Sequence, residues 1–206
     1  MLFFFGINSF CQQKSVEAKQ KSIKKFYLQL GTAATGSNGT TIDIGVQAII
    51  KNKWTAAISY QLIQIDPKNL PGNYERGVTY LLFFPVYDDM PSNDMGVFSL
   101  TLGKYFKAGR KTWFTTEAGL SHVSGQKMKF TSQPVITELF YVPSNYSFQK
   151  DDKTGFGGML KADFNWAFLP YVGFGAGAFA NLNSVQSAVG FEVKFLFGHL
   201  NTKRKP

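Results

Sequence analysis

The chain has one cysteine, Cys11, and no run of about 18 apolar residues that would form a membrane helix. A single cysteine excludes an internal disulfide framework. Charged residues make up only 17% of the 206 positions, whereas phenylalanine and glycine occur 21 and 20 times. This combination favours an all-β domain over a helical one. If the chain spans a membrane, it therefore spans it as strands.

Acidic residues are also few, 13 against 22 Lys and Arg, which gives a net charge of +9. Five lysines and one glutamate from Lys14 to Lys25 contribute +4, and residues 203–205 contribute +3, so only +2 remains for the rest. A nucleic-acid-binding protein carries its basic residues on a folded face. Because these lie at the two ends, we expect no nucleic-acid partner and interpret them as solubilising segments that contact anionic lipid headgroups or nothing.

Residues 1–11 resemble a secretory signal peptide. A short apolar run is followed by small residues at the −3 and −1 positions of a cleavage before Gln12. The usual preceding Lys or Arg is missing, which a true start upstream of Met1 would explain. An acylated Cys11 and a buried first strand are the alternatives. We expect export with loss of Cys11, followed by a basic periplasmic segment at 12–24.

The last regular run shows the clearest pattern. From Val189 to Gly198, large apolar residues alternate with a set made mostly of glycine and charged residues, including Glu192 and Lys194. A period of two places the two sets on opposite faces of a β-strand. An aromatic face backed by glycine and opposite charges is typical of a transmembrane barrel strand, whose apolar side faces lipid and whose polar side faces the lumen.

The same alternation recurs along the chain and predicts an antiparallel up-and-down barrel. An even number of strands places both termini at one end. The connections at that end are short, whereas 66–94 and 123–154 at the other end are predicted to be long loops, an asymmetry typical of bacterial outer-membrane barrels. The eight predicted strands, most of them near the ~9–11 residues that cross a bilayer at a tilt, are 25–35, 40–50, 54–65, 95–106, 112–122, 155–168, 171–181 and 186–198.

A ten-stranded barrel is the alternative architecture. It would use Val78–Val86 and Val135–Val142 as two further strands. Pro85, Pro134 and the lost alternation argue against it. Six aromatic residues fall near the short-turn end, where an interfacial girdle is expected: Trp54, Phe106, Trp113, Phe168, Tyr171 and Phe197.

The chain resembles the small eight-stranded outer-membrane barrels of the protein A/X type over residues 25–198, by pattern. It continues past Phe197 into a basic tail at 199–206, whereas many relatives stop at an aromatic residue. The resemblance implies an outer-membrane location and a role in envelope tethering, adhesion or loop-mediated binding. The partners to expect are outer-membrane lipids, lipopolysaccharide and the barrel-insertion machinery. The insertion signal of such barrels is resembled by Ser187, Gly190, Val193 and Phe195.

With eight strands, the interior is only wide enough to be filled by side chains, so an open channel is not expected. Isolated charges there would be costly, so we expect ion pairs. Lys161 with Asp163, and Glu192 with Lys194, lie two positions apart on one face. A gated proton or ion path is the functional alternative. The predicted lumen charges are Asp43, Glu117, Lys161, Asp163, Glu192 and Lys194.

Two other functions compete with a non-enzymatic, monomeric membrane barrel. A soluble eight-stranded lipid-binding barrel would turn its apolar face inward. A lipid-modifying acyltransferase would need Ser121, His122 and a loop acid to converge. Asp88, Asp89 and Asp94 cluster in one loop, but their spacing is not that of a calcium-binding loop. We therefore expect neither catalysis nor a metal or cofactor.

Overall fold

The computed structural model describes residues 23–36, 39–51, 53–67, 69–81, 84–87, 91–133 and 141–200. In these ranges, no helix has the length and apolar character needed to cross a membrane. The strands are β1 Ile23–Thr35, β2 Gly39–Ile50, β3 Trp54–Ile65, β4 Val78–Leu81, β5 Phe84–Tyr87, β6 Asn93–Lys107, β7 Thr112–Ser132, β8 Tyr141–Val142, β9 Tyr146–Trp166, β10 Val172–Asn183 and β11 Ala188–His199.

Eight of these strands close into a barrel, in the order β1-β11-β10-β9-β7-β6-β3-β2. Each neighbouring pair is antiparallel, and the last strand closes on the first from Phe26 opposite His199 to Thr35 opposite Gly190. The predicted eight-stranded up-and-down barrel is therefore confirmed. The ten-stranded alternative is wrong, because β4, β5 and β8 form a separate three-stranded sheet outside the barrel.

The alternation in the sequence decides which face of each strand meets lipid. In β2, the side chain of Ile42 is 56% exposed, whereas that of Asp43 is only 2% exposed. The same pattern, apolar side chains outside and polar ones inside, recurs around the ring. A soluble barrel would show the reverse, so the soluble lipid-binding alternative is excluded. The exposed apolar band is instead what a transmembrane barrel requires.

The two ends of the barrel differ. We call the end at which β1 begins and β11 ends, where the short turns lie, the terminal end, and the opposite end the loop end. At the loop end, β7 and β9 stay paired for 21 residues, from Thr112 opposite Trp166 to Ser132 opposite Tyr146. The prediction of a long polar loop at 123–154 is therefore wrong. Most of it is strand, which we call the protruding hairpin (residues 123–132 and 146–156).

Other predicted bounds need smaller corrections. The fourth barrel strand begins at Asn93 instead of residue 95, and the sixth ends at Trp166 instead of residue 168. The excursion at 66–94 carries β4 and β5 instead of forming only a loop. The proposed signal peptide, most of the basic segment and the basic tail after Leu200 lie outside the described residues, as do Asp88 and Asp89.

Candidate functional site

The lumen is built in three layers. At each end of it lies a cluster of buried apolar side chains, and the charged residues lie between them. The loop-end layer consists of Ala33, Ile63, Ile65, Met95, Val97, Val123, Met159, Phe179 and Ala188. The terminal-end layer consists of Tyr27, Ile49, Trp113, Ala167, Leu196 and Leu200. Buried polar side chains lie among the loop-end apolar residues, where Asn93 contacts Gln186 and Ser121 contacts Asn181, so packed side chains of both kinds fill the lumen.

Two lysines pair with three of the four carboxylates of the middle layer. Lys161 on β9 reaches across the lumen to Asp43 on β2, the diametrically opposite strand, with Nζ 2.9 Å from Oδ2. The same ammonium donates to the Ser59 hydroxyl at 3.0 Å. Lys194 on β11 lies 2.9 Å from Glu192 and 2.9 Å from Asp163. Three of these four contacts, all except the Lys194–Glu192 pair within β11, tie together strands that are not neighbours in the sheet.

Glu117 on β7 has no lysine partner among the described residues and is held by neutral donors instead. One carboxylate oxygen accepts a hydrogen bond from Thr55 at 2.8 Å, and the other accepts one from Thr101 at 2.7 Å. The Gln47 amide also donates to this carboxylate, and the Tyr27 hydroxyl donates to Gln47 at 2.7 Å. Hydrogen bonds to a charged acceptor are stronger than neutral ones, so this cluster can hold an ionised carboxylate away from water.

The terminal end carries an aromatic belt on its outer surface. Five predicted girdle residues are exposed there: Trp54, Phe106, Phe168, Tyr171 and Phe197. Trp166 joins them, with its ring centroid 5.9 Å from that of Phe168. Lys104 places its ammonium 3.4 Å from the centre of the Trp54 ring, as lysines do at a membrane interface where the charge reaches water.

Trp113 is a correction to the predicted girdle. Its side chain is 0% exposed and lies inside the barrel, edge-on to Tyr27 at 6.1 Å. Trp113 faces inward on β7, because adjacent residues of a strand face opposite sides of the sheet and its neighbour Phe114 faces lipid. The Lys25 ammonium lies 3.5 Å from the centre of the Trp113 ring, which completes the terminal-end layer.

The protruding hairpin is braced from one side by residues 69–77. Asn145 donates to the Asn73 carbonyl at 2.6 Å, and the Tyr146 hydroxyl donates to the Asn73 side chain at 2.9 Å. The Tyr74 ring packs against Phe130 and Tyr146, with centroids 6.0 and 6.5 Å apart. These contacts hold the hairpin in one position above the loop end.

The other face of the hairpin is charged. Lys129 lies 2.9 Å from the Asp151 carboxylate, and Lys153 lies 3.5 Å from it. The hydrogen bond from Lys129 holds the pKa of Asp151 below its ordinary value, with the charges of both lysines acting in the same direction. All three groups are exposed to solvent, so these pairs shape the charge of the surface more than they stabilise it.

Solved structures of other proteins align with this barrel. The N-terminal β-barrel domain of OprF from Pseudomonas aeruginosa aligns with 86% of this chain and 99% of its own, at 10% identity and a TM-score of 0.52. The chain has the fold of an outer-membrane β-barrel. No protein-family model and no curated protein matches its sequence.

Other solved barrels align over a similar length. The attachment invasion locus protein Ail of Yersinia pestis, in complex with the heparin analogue sucrose octasulfate, covers 87% of this chain and 99% of its own, at 12% identity and a TM-score of 0.49. A de novo designed transmembrane β-barrel covers 87% and 98%, at 8% identity and a TM-score of 0.49.

Three of the four residues that resemble an insertion signal lie on the last strand, on both of its faces. Val193 and Phe195 face lipid, whereas Gly190 faces the lumen beside Phe179. Ser187 precedes the strand, in the turn that follows Asn183. The apolar members are thus accessible from the hydrocarbon side, and recognition of the set by the insertion machinery stays a prediction.

The geometry contradicts the acyltransferase alternative. Ser121 is buried in the lumen and contacts Asn181 at 3.2 Å. His122 is the next residue of the same strand, so its side chain points to the lipid face, where its ring lies 5.1 Å from that of Phe156. Adjacent strand residues face opposite sides of the sheet, and these two side chains cannot form a nucleophile and base pair.

Sequence reasoning missed the two apolar layers of this barrel. At inward positions near the strand ends, such as Ile49, Ile63 and Phe179, both faces of the strand are apolar. Alternation carries no information where both sets are apolar. A signal was nevertheless present, since an apolar residue at an inward-facing position of a strand must lie in the lumen.

Proposed function

We propose that this chain is an integral barrel of a bacterial outer membrane with a structural or surface-binding role and no catalytic activity. The lumen is a filled core that stabilises the wall. Binding takes place at the loop end, outside the membrane. The observation that carries this proposal is the protruding hairpin, which extends the sheet beyond the barrel and leaves one edge of β9 without a paired strand among the described residues.

The open edge belongs to β9. Its pairing with β10 stops at Gly157 opposite Asn183, whereas its pairing with β7 continues to Tyr146. Among the described residues, no strand pairs with β9 between Tyr146 and Thr154 on the side away from β7. Such an edge presents backbone N–H and C=O groups in a row, which is a template for an extended segment of a partner.

The other edge of the hairpin, along β7, is covered by neighbouring residues. The β9 edge is therefore the one available to a partner strand. Asn69 donates to the Met128 carbonyl at 2.8 Å, and the Met128 amide donates to Asn93 at 2.9 Å. Residues 69–77 therefore cover the edge of β7, whereas on β9 they meet the side chain of its first residue, Tyr146. The charges of Lys150, Asp152 and Lys153 limit non-specific pairing of this edge, as charges on natural edge strands do.

We test this proposal by cysteine labelling and cross-linking. A cysteine introduced by Gln149→Cys in the hairpin is expected to react with a membrane-impermeant maleimide on intact cells. The matched Lys53→Cys variant, in a short turn at the terminal end, is expected to react only after lysis. Labelling of Lys53→Cys on intact cells would reverse the assigned orientation.

A photo-crosslinking residue then distinguishes binding from mere exposure. Placed at Gln149 on the open edge, it is expected to give a defined adduct on intact cells. Placed at Thr131 on the covered strand β7, it is expected to give much less. Equal adducts at both positions, or none at either, would contradict binding at the β9 edge.

The filled lumen leads to a separate prediction about conductance. Because buried apolar and polar side chains fill the interior of an eight-stranded barrel, no open path is left for ions. The purified protein is expected to show no conductance steps in planar lipid bilayers. Discrete, reproducible steps from protein that is fully folded by heat-modifiable gel migration would restore the gated ion path.

The surrounding partners follow from the same geometry. Membrane lipid surrounds the exposed apolar band, and lipopolysaccharide would meet Lys129 and Lys153 on the hairpin. The barrel-insertion machinery would act on the last strand during assembly. We propose a monomer, since the ring of eight strands closes on itself without a contribution from another chain.

A further inference from the structure

A groove of about 650 Å³ lies where the barrel wall meets the protruding hairpin. It runs along the outer surface of β2, β3, β6, β7 and β9, at the loop-end limit of the lipid-exposed band. Its lower part is apolar and its upper part is polar. The groove therefore straddles the level at which acyl chains give way to headgroups.

A small residue lies in the floor of the groove. Gly96 is an outward-facing glycine of β6, in a band where most outward positions carry large apolar residues. The Tyr60 side chain lies over it, since a Cβ atom at this position would be 2.5 Å from the Tyr60 hydroxyl. Ile42 and Leu62 complete the apolar floor. This floor has the chemistry and the place of an acyl-chain contact.

The rim above the floor carries both signs of charge. Asp94 and Asp152 line the groove, and Lys150 lies 3.8 Å from the Asp94 carboxylate. Ser92 donates to Asp94 at 3.0 Å, and Gln126 donates to Asp152 at 3.1 Å. Each carboxylate keeps lone pairs free for further donors, since an ionised carboxylate accepts up to about four hydrogen bonds.

We propose that this groove binds one membrane lipid whose headgroup carries a primary ammonium next to a phosphate. The acyl chain lies on Ile42, Leu62 and Gly96, and the ammonium donates to Asp94 and Asp152. Lys150 attracts the phosphate. The balance of two carboxylates and one ammonium complements a zwitterionic headgroup. It disfavours a headgroup with phosphates alone, because the two carboxylates would repel it.

The test is lipid binding to the detergent-purified, folded barrel, measured by native mass spectrometry. Phosphatidylethanolamine, phosphatidylglycerol and phosphatidylcholine with identical acyl chains are added at equal concentration. Phosphatidylethanolamine is expected to bind about tenfold more tightly than phosphatidylglycerol, the ratio given by about one charge-assisted hydrogen bond. Phosphatidylcholine is expected to bind weakly, because its quaternary ammonium has no N–H to donate.

Variants separate the two parts of the groove. Gly96→Leu adds a side chain that would meet the Tyr60 hydroxyl, and it is expected to push one of the two side chains into the groove and abolish binding of all three lipids. Gly158→Leu is the matched control, because Gly158 also faces outward, and an added Cβ there would approach only the Gly119 carbonyl, at 3.9 Å. The double variant Asp94→Asn, Asp152→Asn is expected to keep binding but lose the preference for the ammonium. Heat-modifiable migration establishes that each variant is folded.

Three results would overturn the proposal. The first is equal binding of phosphatidylethanolamine and phosphatidylglycerol by the unmodified chain. The second is the same loss of binding in folded Gly158→Leu as in folded Gly96→Leu, which would place the lipid elsewhere on the wall. The third is displacement of bound phosphatidylethanolamine by an equal concentration of lipid A, which would assign the groove to a phosphate-rich glycolipid.

Discussion

Replacement of Lys194 by methionine is expected to lower the free energy of unfolding of the barrel by about 3–5 kcal/mol. Lys194 is buried, and its ammonium lies 2.9 Å from both Asp163 and Glu192. Without it, two carboxylates stay inside the lumen and lose the ammonium that lies in direct contact with both. The measurement is urea-induced unfolding in lipid vesicles, followed by tryptophan fluorescence and by gel migration.

The control for this variant removes a surface lysine whose ion-pair distance is also 2.9 Å. Lys129→Met breaks the 2.9 Å contact with Asp151 in the exposed hairpin and is expected to cost about 0–1 kcal/mol. Adding Glu192→Gln to Lys194→Met is expected to recover part of the loss, because one unpaired charge is removed. If Lys194→Met unfolds at the same urea concentration as Lys129→Met, the lumen is hydrated enough to screen its charges.

The second large effect is expected at Gly119, where β6 and β7 approach each other closely. A Cβ atom there would overlap the Leu100 carbonyl oxygen and lie 2.7 Å from the Thr101 Cα. Both contacts are with backbone, which cannot move aside without shifting the strand. Gly119→Ala is therefore expected to destabilise the barrel by about 3 kcal/mol, at the upper end of overpacking costs.

Gly158→Ala is the matched control for Gly119→Ala. Gly158 lies on β9, outside the wall, where an added methyl group would contact lipid. Its effect is expected to stay within about 0.5 kcal/mol. Urea unfolding of the two variants side by side provides the measurement. Equal midpoints would mean that β6 and β7 separate freely at Gly119, in conflict with their continuous pairing from Met95 to Lys107.

The barrel itself could be predicted because each strand repeats the same local rule. Ile42, Asp43 and Ile44 alternate in polarity, and a period of two assigns each to a face without knowledge of its neighbours. In a membrane barrel the apolar face must be outside, since the small lumen holds the polar set. Eight such strands, each paired with the next along the chain, were enough to predict the order of the strands around the ring.

The long hairpin could not be predicted in the same way. Above the membrane, neither face of β7 and β9 meets lipid, so Lys127 and Gln149 follow no alternation that would mark them as strand. Pairing of the two strands continues there because backbone hydrogen bonds propagate from the barrel and residues 69–77 brace one side. These contacts are distant in sequence and leave no local pattern.

The lumen shows the same division. Its six charged residues were identified by parity, and the Glu192–Lys194 pair forms as predicted. Lys161 was paired in the prediction with Asp163, its neighbour on the strand, but it contacts Asp43 across the barrel instead. Trp113 was assigned to the outer girdle because aromatic residues cluster there, although its parity pointed inward.

The amino-acid sequence by itself determined the strands, their two faces, and therefore a barrel with lipid outside and charges inside. These follow from the chemistry of single residues and a period of two. Only the tertiary structure decided which carboxylate pairs with which lysine, which side chains fill the lumen and where the groove lies on the outer wall. Those features depend on the shear and curvature of the closed sheet, which bring residues more than 100 positions apart, such as Asp43 and Lys161, to hydrogen-bonding distance.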